Sequence, residues 1–201
     1  MSLSPLAAAD FEECERIFGL RLDEERKLLV WDYWQLLQAW NRKLSLTSIG
    51  SFREALQFHF FESFWVSDHF LQEMHRIADV GSGAGFPGLA IKLYRPDLEA
   101  VLLESNHKKA VFLSQAARVL DAAVEVFDAP AEDFPSWKGV DAALIRALKP
   151  SSRLIDILRA RRIPLIHFHG ASSQMAGNLQ LEAREKVPGS RNRTVSRYLP
   201  L

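Results

Sequence analysis

The sequence predicts a doubly wound, Rossmann-like α/β fold preceded by a helical N-terminal extension. Three observations carry this prediction. From Ile77 onward, short apolar runs alternate with helical stretches, the β-α-β-α order of a parallel sheet covered on both faces. The first of these runs is followed at once by a glycine-rich turn, DVGSGAGFPGLA at 79–90. Upstream of Ile77 the apolar residues fall at helical spacing instead.

At 201 residues the chain is expected to form a single domain, with residues 1–74 as a helical cap and 75–201 as the α/β core. A hydrophobic share of 48% with 25% charged residues is ordinary globular composition and argues against general disorder. The lone cysteine, Cys14, excludes an intrachain disulfide and suits a reducing, cytoplasmic setting. The start MSLSPLAAADFEEC lacks the pattern of a signal peptide, and no apolar run is long enough for a membrane span. A monomer without membrane association is expected. The net charge of zero hides an asymmetry, because residues 146–201 hold 11 Lys+Arg against 3 Asp+Glu. Such an end suits either an anionic partner or a solvated basic surface.

In chain order, Phe11 to Trp40 reads as two helices broken near Gly19, with Asp23 as a cap and Leu28, Leu29, Trp31, Leu36, Leu37 and Trp40 as the apolar stripe. LSLTSIGS at 44–51 has turn chemistry, and the aromatic-rich stretch REALQFHFFESFWVSDHFL is a core-packing helix. The strands are IADV, AVLLE, VEVF, AALI and IPLIHF, at 77–80, 100–104, 124–127, 142–145 and 163–168. GLAIKLY, HKKAVFLSQAARVL and SRLIDILRAR are the helices between them, and VPGSRNRTVSRYL reads as a final hairpin.

The turn after Asp79 places Gly81, Gly83, Gly85 and Gly88 where backbone N–H groups and a helix N-terminus face the carboxyl end of the first strand, the ligand edge of such folds. Gly83-Ala84-Gly85-Phe86-Pro87-Gly88 satisfies G-x-G-x-x-G, and Glu104 at the end of the second strand can hold the ribose of either a nicotinamide or an adenosyl cofactor. A phosphate loop of the Walker type is excluded, since no Gly-Lys-Ser/Thr follows. The acidic pair Glu132-Asp133 after the third strand and Arg146 after the fourth continue the same edge. Four adjacent strand ends suit one compact adenosyl ligand. His167 and His169 have no third ligand in view and read as strand residues rather than a metal site.

The stretches DVGSGAGFPGLAIKLYRPD, LLESNHKKAVFL, AED and IRAL, with WNRKLSLTSI and HFFES upstream, resemble the bacterial ribosomal RNA small-subunit methyltransferase G family, also called glucose-inhibited division protein B. The resemblance implies transfer of a methyl group from S-adenosylmethionine to N7 of a guanine in 16S ribosomal RNA, with the RNA or the small ribosomal subunit as partner. It places Gly81, Phe86, Glu104, Ala131, Glu132 and Arg146 around the cofactor, with Arg146 between cofactor and RNA in the catalytic position; Asp79, Gly83 and Gly85, from the same turn, are expected to bind the cofactor with them. Lys108 and Lys109 would face RNA phosphate, and His169 stands where the family has a lysine. Ser45, Glu62 and Pro130 replace the family's asparagine, aspartate and arginine. Another RNA or a small molecule as acceptor, a non-catalytic binding role, and a nicotinamide oxidoreductase are the alternatives.

Overall fold

The computed structural model describes residues 4–170 and 179–201. Helix α1 (Pro5–Phe18) opens on Ser4, whose hydroxyl accepts from the Ala7 N–H at 3.2 Å, and closes on Gly19 at φ +69°. Helix α2 (Glu24–Asn41) opens on Asp23, which accepts from the Arg26 N–H at 2.8 Å. A carboxylate there meets both the free N–H groups and the positive end of the helix dipole. The stripe on α2 differs from the expected one. The structure buries Val30, Tyr33, Trp34 and Leu37, an i, i+3, i+4, i+7 set, and leaves Leu28, Leu29, Trp31, Leu36 and Trp40 half-buried at its margins. Tyr33 joins the buried stripe despite its polar hydroxyl.

The aromatic-rich stretch is helical throughout but not uniform. It runs as α3 (Phe52–Ala55), a π-helical turn (Leu56–Phe61) and α4 (Glu62–Phe70). π-helical turns are uncommon and concentrate at functional positions. This one carries Phe58 and His59 toward the sheet.

Among the described residues seven strands form one sheet: β1 (Arg76–Val80), β2 (Glu99–Leu103), β3 (Val124–Phe127), β4 (Ala142–Arg146), β5 (Leu165–Gly170), β6 (Leu179–Lys186) and β7 (Arg193–Pro200). Among the described residues their order is β3-β2-β1-β4-β5-β7-β6, parallel except for β7, which runs antiparallel to both β5 and β6. Between the strands lie α5 (Gly88–Tyr94), α6 (His107–Val119) and α7 (Ser152–Arg161). The final hairpin is wider than expected. VPGSRNRTVSRYL supplies its turn and second arm, while the first arm is β6, whose exposed, charge-rich LQLEAREK does not read as a strand on composition.

Alternate residues along the strands feed two cores, as the period of two requires. Ile77, Leu102, Leu144 and Ile166 pack with α1, α2, α4, α5 and α6 on one face. Ala78, Val101, Ile145 and Leu165 pack with α7 and with Phe134 and Trp137 on the other. The first core runs without a break from Phe11 through Phe64 to Phe112, so the helical extension covers the sheet directly.

The register fixes the site. Val80 pairs with Leu103 on one side and with Ile145 on the other. The next residue on each strand, Gly81, Glu104 and Arg146, therefore emerges at one level along the carboxyl edge. The reversal of strand order falls between β1 and β4, where doubly wound folds bind their ligands.

Candidate functional site

The glycine turn begins with the Gly81 N–H donating to the Leu103 carbonyl at 2.8 Å, which ties it to the end of β2. Glu104, 6% exposed, then clamps it: one carboxylate oxygen accepts from the Gly83 N–H at 2.8 Å and the other from the Asn106 N–H at 2.8 Å. Each oxygen keeps lone-pair capacity for a further donor. Asn106 in turn caps α6 by accepting from the Lys109 N–H. One carboxylate thus joins the turn to the start of the next helix.

Beneath the turn, Asp79 is 1% exposed. Its Oδ2 accepts from the Gly88 N–H at 3.0 Å, while Oδ1 has no hydrogen-bond partner among the described residues. Burial pushes this carboxyl up to about 6, against the pull of the Gly88 hydrogen bond. An acceptor buried with half its capacity unused is costly unless something else supplies a donor.

The four glycines divide by purpose. A Cβ on Gly85 would lie 2.0 Å from the Tyr33 hydroxyl, and one on Gly88 would lie 2.6 Å from the Asp79 Cβ. Both are glycine because the fold packs against them from behind. Packing from behind thus accounts for the missing side chain at these two positions. Gly83, at φ +56°, would meet only the Gly81 carbonyl at 3.7 Å, and Gly81, at φ +72°, only the Leu148 side chain at 3.0 Å. These two face the open edge, and their left-handed backbone favours glycine in any case.

Phe86 also lies behind the turn. Its ring, 2% exposed, is stacked between Tyr33 at 5.1 Å and His59 at 4.4 Å, with Phe60 edge-on at 5.0 Å. Each such pair contributes roughly 0.5–1.5 kcal/mol beyond area burial. Tyr33 fastens the same region, donating its hydroxyl to the Ala84 carbonyl at 2.6 Å. The Phe86 side chain therefore supports the turn from the core.

Arg146 leaves β4 toward the π-helical turn. Its guanidinium donates to the Phe58 carbonyl at 3.0 Å and to His59 Nδ1 at 3.0 Å, and lies over the Phe86 ring at 5.4 Å from its centroid. Burial, then the charges of Arg146 and Arg193, hold His59 well below its ordinary range. It is thus neutral, with Nδ1 accepting and the Nε2 proton directed at Thr47 Oγ1, 2.9 Å away. Arg193, from β7, donates to the same Phe58 carbonyl at 3.1 Å and pairs with the carboxylate of Glu62, 2% exposed. Two guanidiniums converge on one carbonyl oxygen, and the Glu62 carboxylate offsets one of their charges.

The remaining expected residues are more dispersed. Ala131 is buried in the second core, and Glu132 accepts from the hydroxyl of Ser151, the cap of α7; that hydrogen bond holds its carboxyl below the ordinary range. Lys108 and Lys109 occupy the first turn of α6, exposed and half-buried. His169, at the end of β5, donates from Nδ1 to the Gly170 carbonyl at 2.7 Å and accepts at Nε2 from Ser196 at 2.9 Å. Both ring nitrogens are thus engaged within the sheet. Its neighbour His167 is pushed down to about 4 by burial. Asp79, Gly81, Gly83, Glu104 and Arg146 are brought together, and Lys108 and Lys109 stand just beyond Glu104.

Tyr33, Thr47, His59, Glu62 and Arg193 were not assigned from sequence, although Thr47, His59 and Glu62 fall within the quoted WNRKLSLTSI and HFFES stretches. Arg193 appeared only as one of many basic residues near the C-terminus.

A family model described as rRNA small subunit methyltransferase G matches residues 26–185. Among curated proteins, the chain is 41% identical over 142 residues to a ribosomal RNA small subunit methyltransferase G from Nitrosospira multiformis, covering 70% of this chain and 63% of that protein. It is 32% identical over 155 residues to a protein of the same name from Streptococcus suis, covering 76% and 65%. The chain thus spans somewhat less than two thirds of the length of these relatives. Among solved structures, a SAM-dependent methyltransferase from Aquifex aeolicus superposes with a TM-score of 0.58 at 13% identity, covering 74% of this chain and 93% of that one. At that identity the likeness shows the fold alone.

Proposed function

Because the chain belongs to the rRNA small subunit methyltransferase G family, we propose that it transfers a methyl group from S-adenosylmethionine to N7 of a guanine in 16S ribosomal RNA. The observation that carries this reading is the Glu104 carboxylate, fixed by the Gly83 and Asn106 N–H groups at the level of Gly81 and Arg146. A rigid acceptor with spare lone pairs at the end of β2 suits a pair of ribose hydroxyls.

The residues fit the donor molecule in three further respects. Asp79 Oδ1 offers an unused buried acceptor beneath the turn, and the α-ammonium of the methionine moiety is a donor of the required charge. Gly81 and Gly83 add no side chain to the edge above it, where the exposed Leu148 is the side chain that approaches Gly81. Ala131 and Glu132 stand at the end of β3 for the adenine, on the other side of Glu104 from the glycine turn.

The bound cofactor supplies an electrophilic methyl group on a sulfonium centre. Guanine N7 carries a free lone pair, so this chain has no proton to remove and needs no general base. Its work is to hold two reactants in line at short range, an effect that can supply much of a barrier reduction. Arg146 is the cation placed to meet the acceptor. It is oriented by His59 and the Phe58 carbonyl, which fixes its remaining donors for a guanine O6 or a phosphate. Gly85 and Phe86 act from behind the turn, keeping Gly81 and Gly83 in place.

Calorimetric titration with S-adenosylhomocysteine tests the cofactor, with NAD as the competing class. Micromolar binding of the former and none of the latter is the expected result. Binding of NAD alone would overturn it.

A further inference from the structure

WNRKLSLTSI meets the proposed site through Thr47, whose Oγ1 stands 2.9 Å from His59 Nε2, and the structure organises the rest of the stretch tightly. Asn41 donates to the Thr47 carbonyl at 2.8 Å and accepts from the Leu46 and Thr47 N–H groups at 2.7 and 3.0 Å. The N–H groups of Lys43 and Leu44 both return to the Trp40 carbonyl, at 2.8 and 2.9 Å. The result is a fixed turn that sets Lys43 and Leu44 beside the Trp40 ring.

Against this turn stands the first part of α6, and between them lies a cavity of about 310 Å³ lined by Trp40, Lys43, Leu44, His107, Lys108 and Val111. Trp40 rests edge-to-face on Phe112 at 5.7 Å and is half-buried. Val111 is 42% exposed although it is apolar and on a helix with a well-packed inner face. Lys43 and Lys108 are exposed at the mouth, while His107 is engaged with Asp128. The space is at the low end for small-molecule sites, enough for one ring system. An aromatic and aliphatic floor with cations at the rim is the arrangement that holds single-stranded nucleic acid, bases on the aromatic surface and phosphates on the lysines.

We propose that this cavity binds one nucleobase of a single-stranded segment of the RNA substrate, with the flanking phosphates on Lys43 and Lys108. This rests on the RNA acceptor proposed above. The cavity begins at His107, three residues after Glu104, so a strand seated there would run past the ribose end of the cofactor edge. It gives the WNRKLSLTSI turn a role as an RNA grip, set apart from the methyl-transfer point.

The test is fluorescence anisotropy with a fluorescein-labelled single-stranded RNA 12-mer of mixed sequence, titrated at several salt concentrations, beside calorimetry with S-adenosylhomocysteine. Val111→Glu puts a negative charge at an exposed position and is expected to weaken RNA binding at least fivefold. Trp40→Leu keeps an apolar residue on Phe112 and is expected to do the same. Lys43→Ala should lower the slope of log affinity against log salt by about 0.7, the loss of one phosphate contact. All three should bind S-adenosylhomocysteine within twofold of the parent chain. If the parent binds RNA and the three variants bind it equally well, the cavity is not an RNA subsite. If the parent binds S-adenosylhomocysteine but no RNA, the RNA acceptor and the subsite fall together. Loss of S-adenosylhomocysteine binding in all three variants would place the cavity in the cofactor site and contradict the proposal.

Discussion

Replacing Gly85 by alanine separates a glycine needed for the fold from one needed at the ligand edge. The added Cβ would lie 2.0 Å from the Tyr33 hydroxyl, 3.1 Å from the Leu89 Cβ and 3.3 Å from the Leu113 Cδ2, at a backbone φ of +85°. A left-handed conformation costs a non-glycine residue roughly 1–2 kcal/mol. Overpacking a buried site costs about 1–3 kcal/mol more. The expected destabilisation is therefore about 2–5 kcal/mol, read from urea unfolding of Gly85→Ala against the parent. Gly83→Ala has no close neighbour, so only the conformational part applies, about 1–2 kcal/mol, and its main effect should be on S-adenosylhomocysteine affinity. Tyr33→Phe removes the atom nearest the new Cβ. The double variant Tyr33→Phe with Gly85→Ala should thus be less destabilised than the sum of the two single variants, a coupling that a double-mutant cycle measures directly. Gly85→Ala with parental stability, or strictly additive effects, would refute the packing argument.

Glu104→Ala removes the ribose acceptor and should weaken S-adenosylhomocysteine binding by about 10- to 100-fold, the worth of one or two hydrogen bonds to a charged group; calorimetry showing an unchanged affinity would remove Glu104 from the site. Asp79 has its folded pKa raised from 3.8 to about 6. For a carboxyl shifted upward, the neutral form is favoured by folding, so its stabilising contribution is complete below about pH 4 and is lost as pH rises through 6. By pH 7 the loss amounts to about 3 kcal/mol. Asp79→Asn should abolish that slope in a pH series of urea unfolding curves. Arg193→Ala strands the buried Glu62 carboxylate and should cost about 3 kcal/mol, with recovery in the double variant carrying Glu62→Gln as well; equal stability of Arg193→Ala and the parent would show the pair to be unimportant.

The parallel strands and their helices were legible because each is a contiguous segment whose own pattern reports its environment. IADV, AVLLE and AALI are buried on both faces and therefore apolar apart from Asp79 and Glu104, and α5 to α7 follow as helices between them. Gly81, Gly83 and Glu104 could be placed because they directly follow those strands. The support behind the turn was hidden for the opposite reason. Tyr33, His59 and Arg193 reach it from 51 positions before Ala84 and from 87 and 131 positions away from Arg146 and Glu62 respectively, and no local pattern records such contacts. β6 was missed because a strand at a sheet edge carries charges on its exposed surface. Gly85 and Gly88 were given a ligand's reason because a motif shows that a side chain is absent but not what stands in its place.

The central claim is methyl transfer to the small-subunit RNA, and the direct measurement is incorporation of labelled methyl from S-adenosylmethionine into small ribosomal subunits taken from a strain that lacks this modification. Label recovered on 16S RNA as N7-methylguanosine, lost with Glu104→Ala, is the predicted result. Tight S-adenosylhomocysteine binding with no label on that RNA, or label appearing on another acceptor, would contradict it.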